Sequence, residues 1–372
     1  MKLALRELRR QPGRFAVATL ILTLIAVLLM FLGGLLDGLE AQSTGALRQQ
    51  PGDAVVFADG AEGSFVRSRL SPEVRDVVAE VDGVERVGGL GNVQLGARLD
   101  GRGPRDLVPV VLFGYEVAPE GLPDGGPKPG QAFADDALRR EGVEEGDVLR
   151  LGPARTEVEV VGFISDAQYA GQATLWASLD TWRAVLAENR PGGRLDGGAV
   201  QALVVQVGGD RSPHELVEAI DEATGGVTDA YTIAGAIDAL PGVAQQRSTF
   251  QQIIGVTVVI AIVVVALFFA LITVERTGLY GVLKALGAGT GSLFAGVLLQ
   301  AVVVIALASA VGVAAALLLD ALLPAGSLPF DALPSRLASS VGALFFAAVV
   351  GVAFSLRRVL RVDPAAAIGG AQ

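Results

Sequence analysis

Four runs of twenty or more residues contain no charged side chain: Phe15–Leu36, Ile253–Val274, Ala285–Leu319 and Leu337–Leu356. A bilayer's hydrocarbon core is about 30 Å thick and takes about 20 apolar helical residues to cross. Runs of this length exceed an ordinary buried core helix. They predict an α-helical membrane protein with four transmembrane helices and an extracytoplasmic α+β domain inserted between the first two. The boundaries read as spans at 15–36, 251–274, 291–319 and 337–356, with the inserted domain at 37–250. A short helix at 1–14 precedes the first span. A loop at 275–290, an outer loop at 320–336 and a tail at 357–372 complete the chain.

Orientation follows from the basic residues beside the spans. Lys2, Arg6, Arg9, Arg10 and Arg14 precede the first, Arg276 and Lys284 separate the second from the third, and Arg357, Arg358 and Arg361 follow the fourth. The loop between the third and fourth offers only Arg336, with Asp320 and Asp331. Both termini are therefore expected in the cytoplasm of a multi-pass plasma-membrane protein. Charge divides the same way. Residues 37–250 hold 34 acidic and 18 basic side chains, net −16, and the rest hold 5 and 11, net +6, which together give the chain's −10. The acidic balance belongs to the outer domain, and no nucleic-acid partner is expected. The first apolar run is longer than a signal-peptide core and lacks a clear cleavage site, so it reads as a retained span. With no cysteine, the outer domain must be held by its own core.

Within that domain, Asp53–Ala58, Val108–Gly114, Val148–Leu151, Glu157–Ile164 and Val200–Val207 read as strands. Ser71-Pro72-Glu73 and Ser212-Pro213 open helices, with Ser at the cap and Pro at the first helical position. Further helices are expected around Asp135–Glu141, at Leu179–Ala187 and at Thr232–Leu240. The carboxylate pairs Asp135–Asp136 and Glu144–Glu145 read as solvated faces. Seven glycines in or beside the spans, Gly33, Gly34, Gly255, Gly296, Gly312, Gly342 and Gly351, either let helices pack closely or are ordinary span composition.

No catalytic constellation is visible, so no enzymatic activity is expected of this chain. A phosphate-binding loop of the G-x-x-x-x-G-K-[ST] kind is absent. The single histidine, His214, cannot make a structural zinc site by itself and reads as an exposed residue. The telling segment is 273–288, TVERTGLYGVLKALGA. Leu279, Val282, Leu283 and Leu286 fall at helical spacing, and Glu275, Arg276 and Lys284 are its charges. A short amphipathic helix across the end of a span suits docking into a partner's groove. An acid at Glu275, at a span's inner end, serves neither topology nor lipid attraction.

These residues resemble the FtsX-like permeases of ABC transporters, in which "E-R … G-x-L-K-A-L-G-A" marks the loop touching the ATPase. The ending Arg361-Val362-Asp363-Pro364-Ala365-Ala366-Ala367-Ile368 resembles that family's "R-x-D-P-x-x-A-L", with Ile for Leu. The order of outer-domain elements resembles the macrolide-exporter type. The resemblance implies a permease homodimer bound to two copies of a separate ATPase, where ATP and Mg²⁺ would sit; no cofactor is expected in this chain. It assigns ATPase coupling to Glu275, Arg276, Leu279, Leu283, Lys284 and Gly287. The cytoplasmic elbow and tail would use Arg6, Arg9, Arg10, Arg361, Asp363 and Pro364. Movement of the outer domain would then export an amphiphile. The alternative is an FtsX-like force transmitter that moves no substrate and regulates an outer protein such as a cell-wall hydrolase. The N-terminal third, "LALREL … GRFAV … LGGLLDGLE", looks like the haem-exporter and DevC-type branch, which adds haem as a candidate substrate. Met30, Asp37, Glu40, Tyr169 and Phe250 are the substrate-site residues that reading nominates.

Overall fold

The computed structural model describes residues 12–275, 278, 282, 289–323 and 328–359, apart from positions 100, 102, 104, 125, 194, 196 and 210. Four of its helices are long and apolar enough to cross a membrane: α1 (Pro12–Arg48), α7 (Val243–Glu275), α8 (Thr290–Leu322) and α9 (Pro334–Val359). The chain divides into two compact units, Met1–Gly38 with Arg247–Gln372, and Leu39–Gln246.

The membrane unit packs through small residues. Leu22, Ala26 and Leu29 of α1, Val265 and Phe269 of α7, Ala301 and Val304 of α8, and Ala347 and Ala348 of α9 share one core. Lipid tails are as apolar as leucine, so close backbone approach rather than hydrophobicity selects these contacts. The seven glycines separate on this test. A Cβ at Gly312 would lie 3.0 Å from the Ala26 Cβ, and one at Gly351 would lie 2.8 Å from Val265. Gly33 and Gly34 are equally crowded, whereas Gly255, Gly296 and Gly342 meet nothing within 4 Å.

The outer unit contains β1 (Ala54–Ala58), α2 (Pro72–Ala79), β2 (Val84–Arg98), β3 (Val108–Tyr115), β4 (Gln131–Asp135), α3 (Ala137–Arg140) and β5 (Val148–Leu151). After these come β6 (Thr156–Ile164), β7 (Ala173–Ser178), α4 (Leu179–Asn189), β8 (Ala202–Val207), α5 (Pro213–Ala223), β9 (Thr228–Thr232) and α6 (Ile233–Ala239). Strands β9, β1, β8 and β2 lie side by side in that order, every pair antiparallel. With α2 and α5 contributing Val78, Leu216 and Ile220 to the core, this is a split βαβ, ferredoxin-like arrangement. Everything from β3 to α4 is inserted between its second and third strands. The inserted strands and β2 close a six-stranded ring, β2-β3-β7-β4-β6-β5 and back to β2. Strand β2 is 15 residues long because it serves both sheets: Val84–Leu90 pair with β8 and Leu90–Ala97 with β3.

Alternation along β3 shows why its sequence is apolar throughout. Val110 and Leu112 enter one core, and Val111, Phe113 and Tyr115 enter the other. Helix α5 carries a full capping box, with Ser212 accepting from the Glu215 N–H and the Glu215 carboxylate accepting from the Ser212 N–H. Two expectations are corrected. Residues 131–135 form a strand, and only the four residues Ala137–Arg140 are helical. Asp135 is buried, not solvated, because the backbone at Ala137 and Ala167 closes over it and donates to its carboxylate. Strands β2, β7 and β9 were not anticipated. In β2, glycines stand where a strand normally shows branched side chains.

Those glycines make room for a tryptophan. Gly91 and Gly114 are cross-strand partners, and a Cβ on either would overlap the fully buried Trp182 of α4. Gly91→Val should therefore destabilise the protein by about 1–3 kcal/mol through overpacking. A lowered thermal unfolding midpoint of the purified chain would show it. Gly103→Ala, which points into open space, should leave the midpoint where it is.

Candidate functional site

Two places bring the nominated residues into register with chemistry. The first lies on α1 around Asp37, eleven residues before the helix ends at Arg48. Asp37 is 6% exposed and receives Arg336 from the first turn of α9, with Nε at 3.1 and 3.0 Å from its two oxygens and Nη2 at 2.6 Å from Oδ1. Such a fork-on-carboxylate pair satisfies both charges where water is scarce. The surrounding helix is stripped of bulk to admit it. A Cβ at Gly33 would lie 2.9 Å from the Arg336 stem, and Gly34 and Gly38 similarly clear Phe330 and Pro329. The Asp331 N–H donates to the Gly34 carbonyl at 3.0 Å, and Phe31 stacks on Phe330 at 5.8 Å. Met30, two turns below Asp37, is fully buried with Ala316 and Leu337, and its sulfur sits where a Gly312 side chain would be.

The second place is the far end of the same helix, inside the outer unit. The loop from Ser165 to Gln172 closes on its last turns. The Gln168 carbonyl accepts from the Ala46 N–H at 3.0 Å, and Ala170 and Gly171 donate to the Ser43 and Gln42 carbonyls at 3.1 Å. Gln49 Nε2 donates to the Ser165 carbonyl at 2.5 Å. Gly45 lies against the Asp166 carbonyl, so any side chain there would displace the loop. The fit holds two non-glycine residues in the left-handed region, Asp166 at φ 56° and Ala170 at φ 51°. From behind, the loop is pinned by the end of β4. Asp135 accepts from the Ala167 N–H at 2.9 Å and the Ala137 N–H at 2.8 Å, while Asp136 accepts from the Ser165 hydroxyl. Burial pushes the Asp135 carboxyl above the usual range against the pull of those donors, and the Ser165 bond holds Asp136 below it.

Tyr169 belongs to this loop. Its ring meets Phe65 at 5.9 Å and Phe113 at 5.3 Å, both edge-on. Burial pushes its phenol far above the ordinary value, opposed only by a hydrogen bond with Asn92.

The other nominated residues do not converge. Glu40 is half-buried on α1, one turn beyond Asp37, and Phe250 is half-buried early in α7. Glu275 is the exposed last residue of α7. Arg276, Leu279, Leu283, Lys284 and Gly287 lie outside the described residues, as do Arg6, Arg9, Arg10, Arg361, Asp363 and Pro364. His214 is exposed at the start of α5. Among the described residues, no group of three His, Cys, Asp or Glu side chains is placed to hold a metal. Sequence reading missed the Asp37–Arg336 pair and the loop on α1. A lone acid and a lone base, each at the outer edge of a span, were the available signal for the first.

Residues 253–364 match the family model of the FtsX-like permease C-terminal domain. Over the full length of both chains, the sequence is 23% identical to a Staphylococcus epidermidis protein named as a hemin transport system permease, HrtB. It is 28% identical to an ABC transporter permease of Mycobacterium bovis, covering 99% of each chain. Among solved structures, the periplasmic region of MacB from Actinobacillus actinomycetemcomitans aligns with 53% of this chain and 96% of its own, at 12% identity and a TM-score of 0.35.

Removing one partner of the Asp37–Arg336 pair strands a buried charge, at a cost of about 3–5 kcal/mol. Exposure of a third of the Arg336 side chain places Asp37→Ala at the lower end. The Asp37→Ala/Arg336→Ala pair should cost less than the sum of its singles, which a double-mutant cycle of thermal midpoints would read. Gly45→Val should strip hydrogen-exchange protection from the Ala46, Ala170 and Gly171 amides while leaving β1 and β8 protected.

Proposed function

From a chain with four helices able to cross a membrane and a match of residues 253–364 to the FtsX-like permease C-terminal model, we propose a role as the membrane subunit of an ABC exporter that works by transmitting motion. A separate ATPase, present in two copies beside a permease homodimer, binds the loop that follows Glu275. ATP-driven closure of that partner moves the inner ends of α7 and α8. The observation that carries the reading is the continuity of two helices. α1 runs unbroken from Pro12 to Arg48 and α7 from Val243 to Glu275, so each span continues as helix into residues of the outer unit. A helix resists compression along its axis, and the loop 165–172 grips α1 through three main-chain bonds and the Gln49 side chain. Displacement of the spans then becomes displacement of the outer unit, and by reciprocity a ligand held outside changes nucleotide affinity inside.

The cargo we propose is an amphiphile, with haem the leading case. Support for haem comes from the names of relatives such as the Staphylococcus epidermidis permease. Met30 and Tyr169 add little, because the thioether is packed against α8 and the phenol ring is buried against Phe65 and Phe113. If haem is ligated by Met30, α1 and α8 have to part at Gly312.

The test uses this chain co-expressed with its partner ATPase in proteoliposomes. Haem should stimulate ATP hydrolysis saturably and leave the membrane in an ATP-dependent way. Glu275→Arg and Lys284→Glu should each lower haem-stimulated hydrolysis at least ten-fold while leaving the ATPase's basal rate in place. Hydrolysis that ignores haem and other amphiphiles, yet responds to a protein bound to the outer unit, would replace export with pure force transmission.

A further inference from the structure

The outer unit carries a groove that the transport reading does not use. One cavity of about 400 Å³ is bounded by Ser43 near the end of α1, by Phe65 and Tyr169, and by Leu240 and Gln246 where the chain enters α7. A second, of about 110 Å³, lies against Leu186, Leu195 and Gln201 and is edged by Arg69 and Arg190. Val66, Asn92 and Gln94 line both, so the two are halves of one groove crossing β2.

Its chemistry is graded along its length. Phe65 and Tyr169, nearly buried and packed edge-on against each other, floor the larger end beside the exposed Val66. The middle is neutral and polar, with Gln201 Oε1 accepting from the Asn92 N–H at 2.6 Å. At the smaller end, Arg190 is fixed at the rim by donating from Nη2 to the Gln94 carbonyl at 3.0 Å. One of its five N–H donors is spent there, and Arg69 is exposed beside the same cavity. No acidic side chain is among the described residues lining either half. That is notable in a region with 34 acids and net −16. Val66 stands 72% exposed on the shared wall, an apolar surface that water covers poorly.

We propose that this groove binds an anionic amphiphile, its ring or acyl body against Phe65 and Tyr169 and its carboxylate or phosphate on Arg69 and Arg190. The site deepens the export reading by giving the outer unit a place to hold such a molecule, and it rests on that reading only for its purpose. Arginine's planar fork suits a carboxylate or phosphate head, and the acid-free lining spares that head repulsion. Three wall residues, Ser43, Tyr169 and Gln246, belong to the clasped end of α1, the clasping loop and the start of α7.

The experiment uses the full-length chain in nanodiscs, without ATPase or nucleotide, and the photoprobe benzophenone-4-carboxylate. Saturable adducts on Phe65, Val66 or Tyr169, competed by dodecanoate, are expected. Arg69→Gln/Arg190→Gln should weaken the apparent affinity at least ten-fold, and Val66→Trp, an exposed position that a large ring would fill, should abolish the adducts. Uncharged benzophenone should be indifferent to the arginine changes. The proposal is overturned by labelling that does not saturate at these residues, or by saturable labelling that ignores both arginines. Because binding is read without transport, failure here leaves the exporter reading standing, and a failed transport assay leaves this binding measurable.

Discussion

A charge buried at the edge of a bilayer must bring its counter-charge with it, and the outer end of the membrane unit is arranged around that requirement. Buried Asp37 is met by the Arg336 guanidinium, and the Arg336 stem runs where a side chain at Gly33 would stand. The same bare surface at Gly34 and Gly38 seats Phe330 and Pro329. The segment leading into α9 is thereby tied to α1 by an ion pair, a backbone hydrogen bond and an aromatic stack. Replacing the pair with apolar residues of equal volume could serve stability as well. What the ionic version adds is direction, since the fork and carboxylate match in one relative setting of the two helices.

Outside the bilayer the corresponding constraint is the backbone itself. The loop between Ser165 and Gln172 spends its N–H and C=O groups on α1 and takes its own support from Asp135 and Asp136. Two residues are held with positive φ to do it. Strain of this kind persists where surrounding contacts over-determine it, and here those contacts lie on both sides of the loop.

The spans were legible because nothing but a membrane explains twenty uncharged residues four times over. Helix α5 was legible because Ser212, Pro213 and Glu215 form a local signal, complete within four residues. Strand β2 was not, since its glycines answer to Trp182, some 90 positions later in the chain. Asp135 was misread for a related reason: a carboxylate beside another carboxylate looks solvated until its backbone donors, at Ala137 and Ala167, are known. Asp37 and Arg336 stand 299 residues apart, and each alone resembles a boundary marker. The residues assigned to the ATPase come from resemblance, and most fall outside the described residues, so their roles stand as proposals.

Strand β2 belongs to two sheets at once, and this has a consequence for how the protein is made. Strand β1, the first to leave the membrane, finds its neighbours only in β8 and β9, with the whole ring synthesised in between. Pairing across such separations is slow. The nascent chain therefore has its first span in place while β1 still presents two unpaired edges, a form open to wrong partners. Once β8 arrives, β2 joins ring and sheet through one continuous strand, and neither lobe can open there without disturbing the other. The outer unit should thus be vulnerable early and cooperative late, with its weakest hour during export of its own chain.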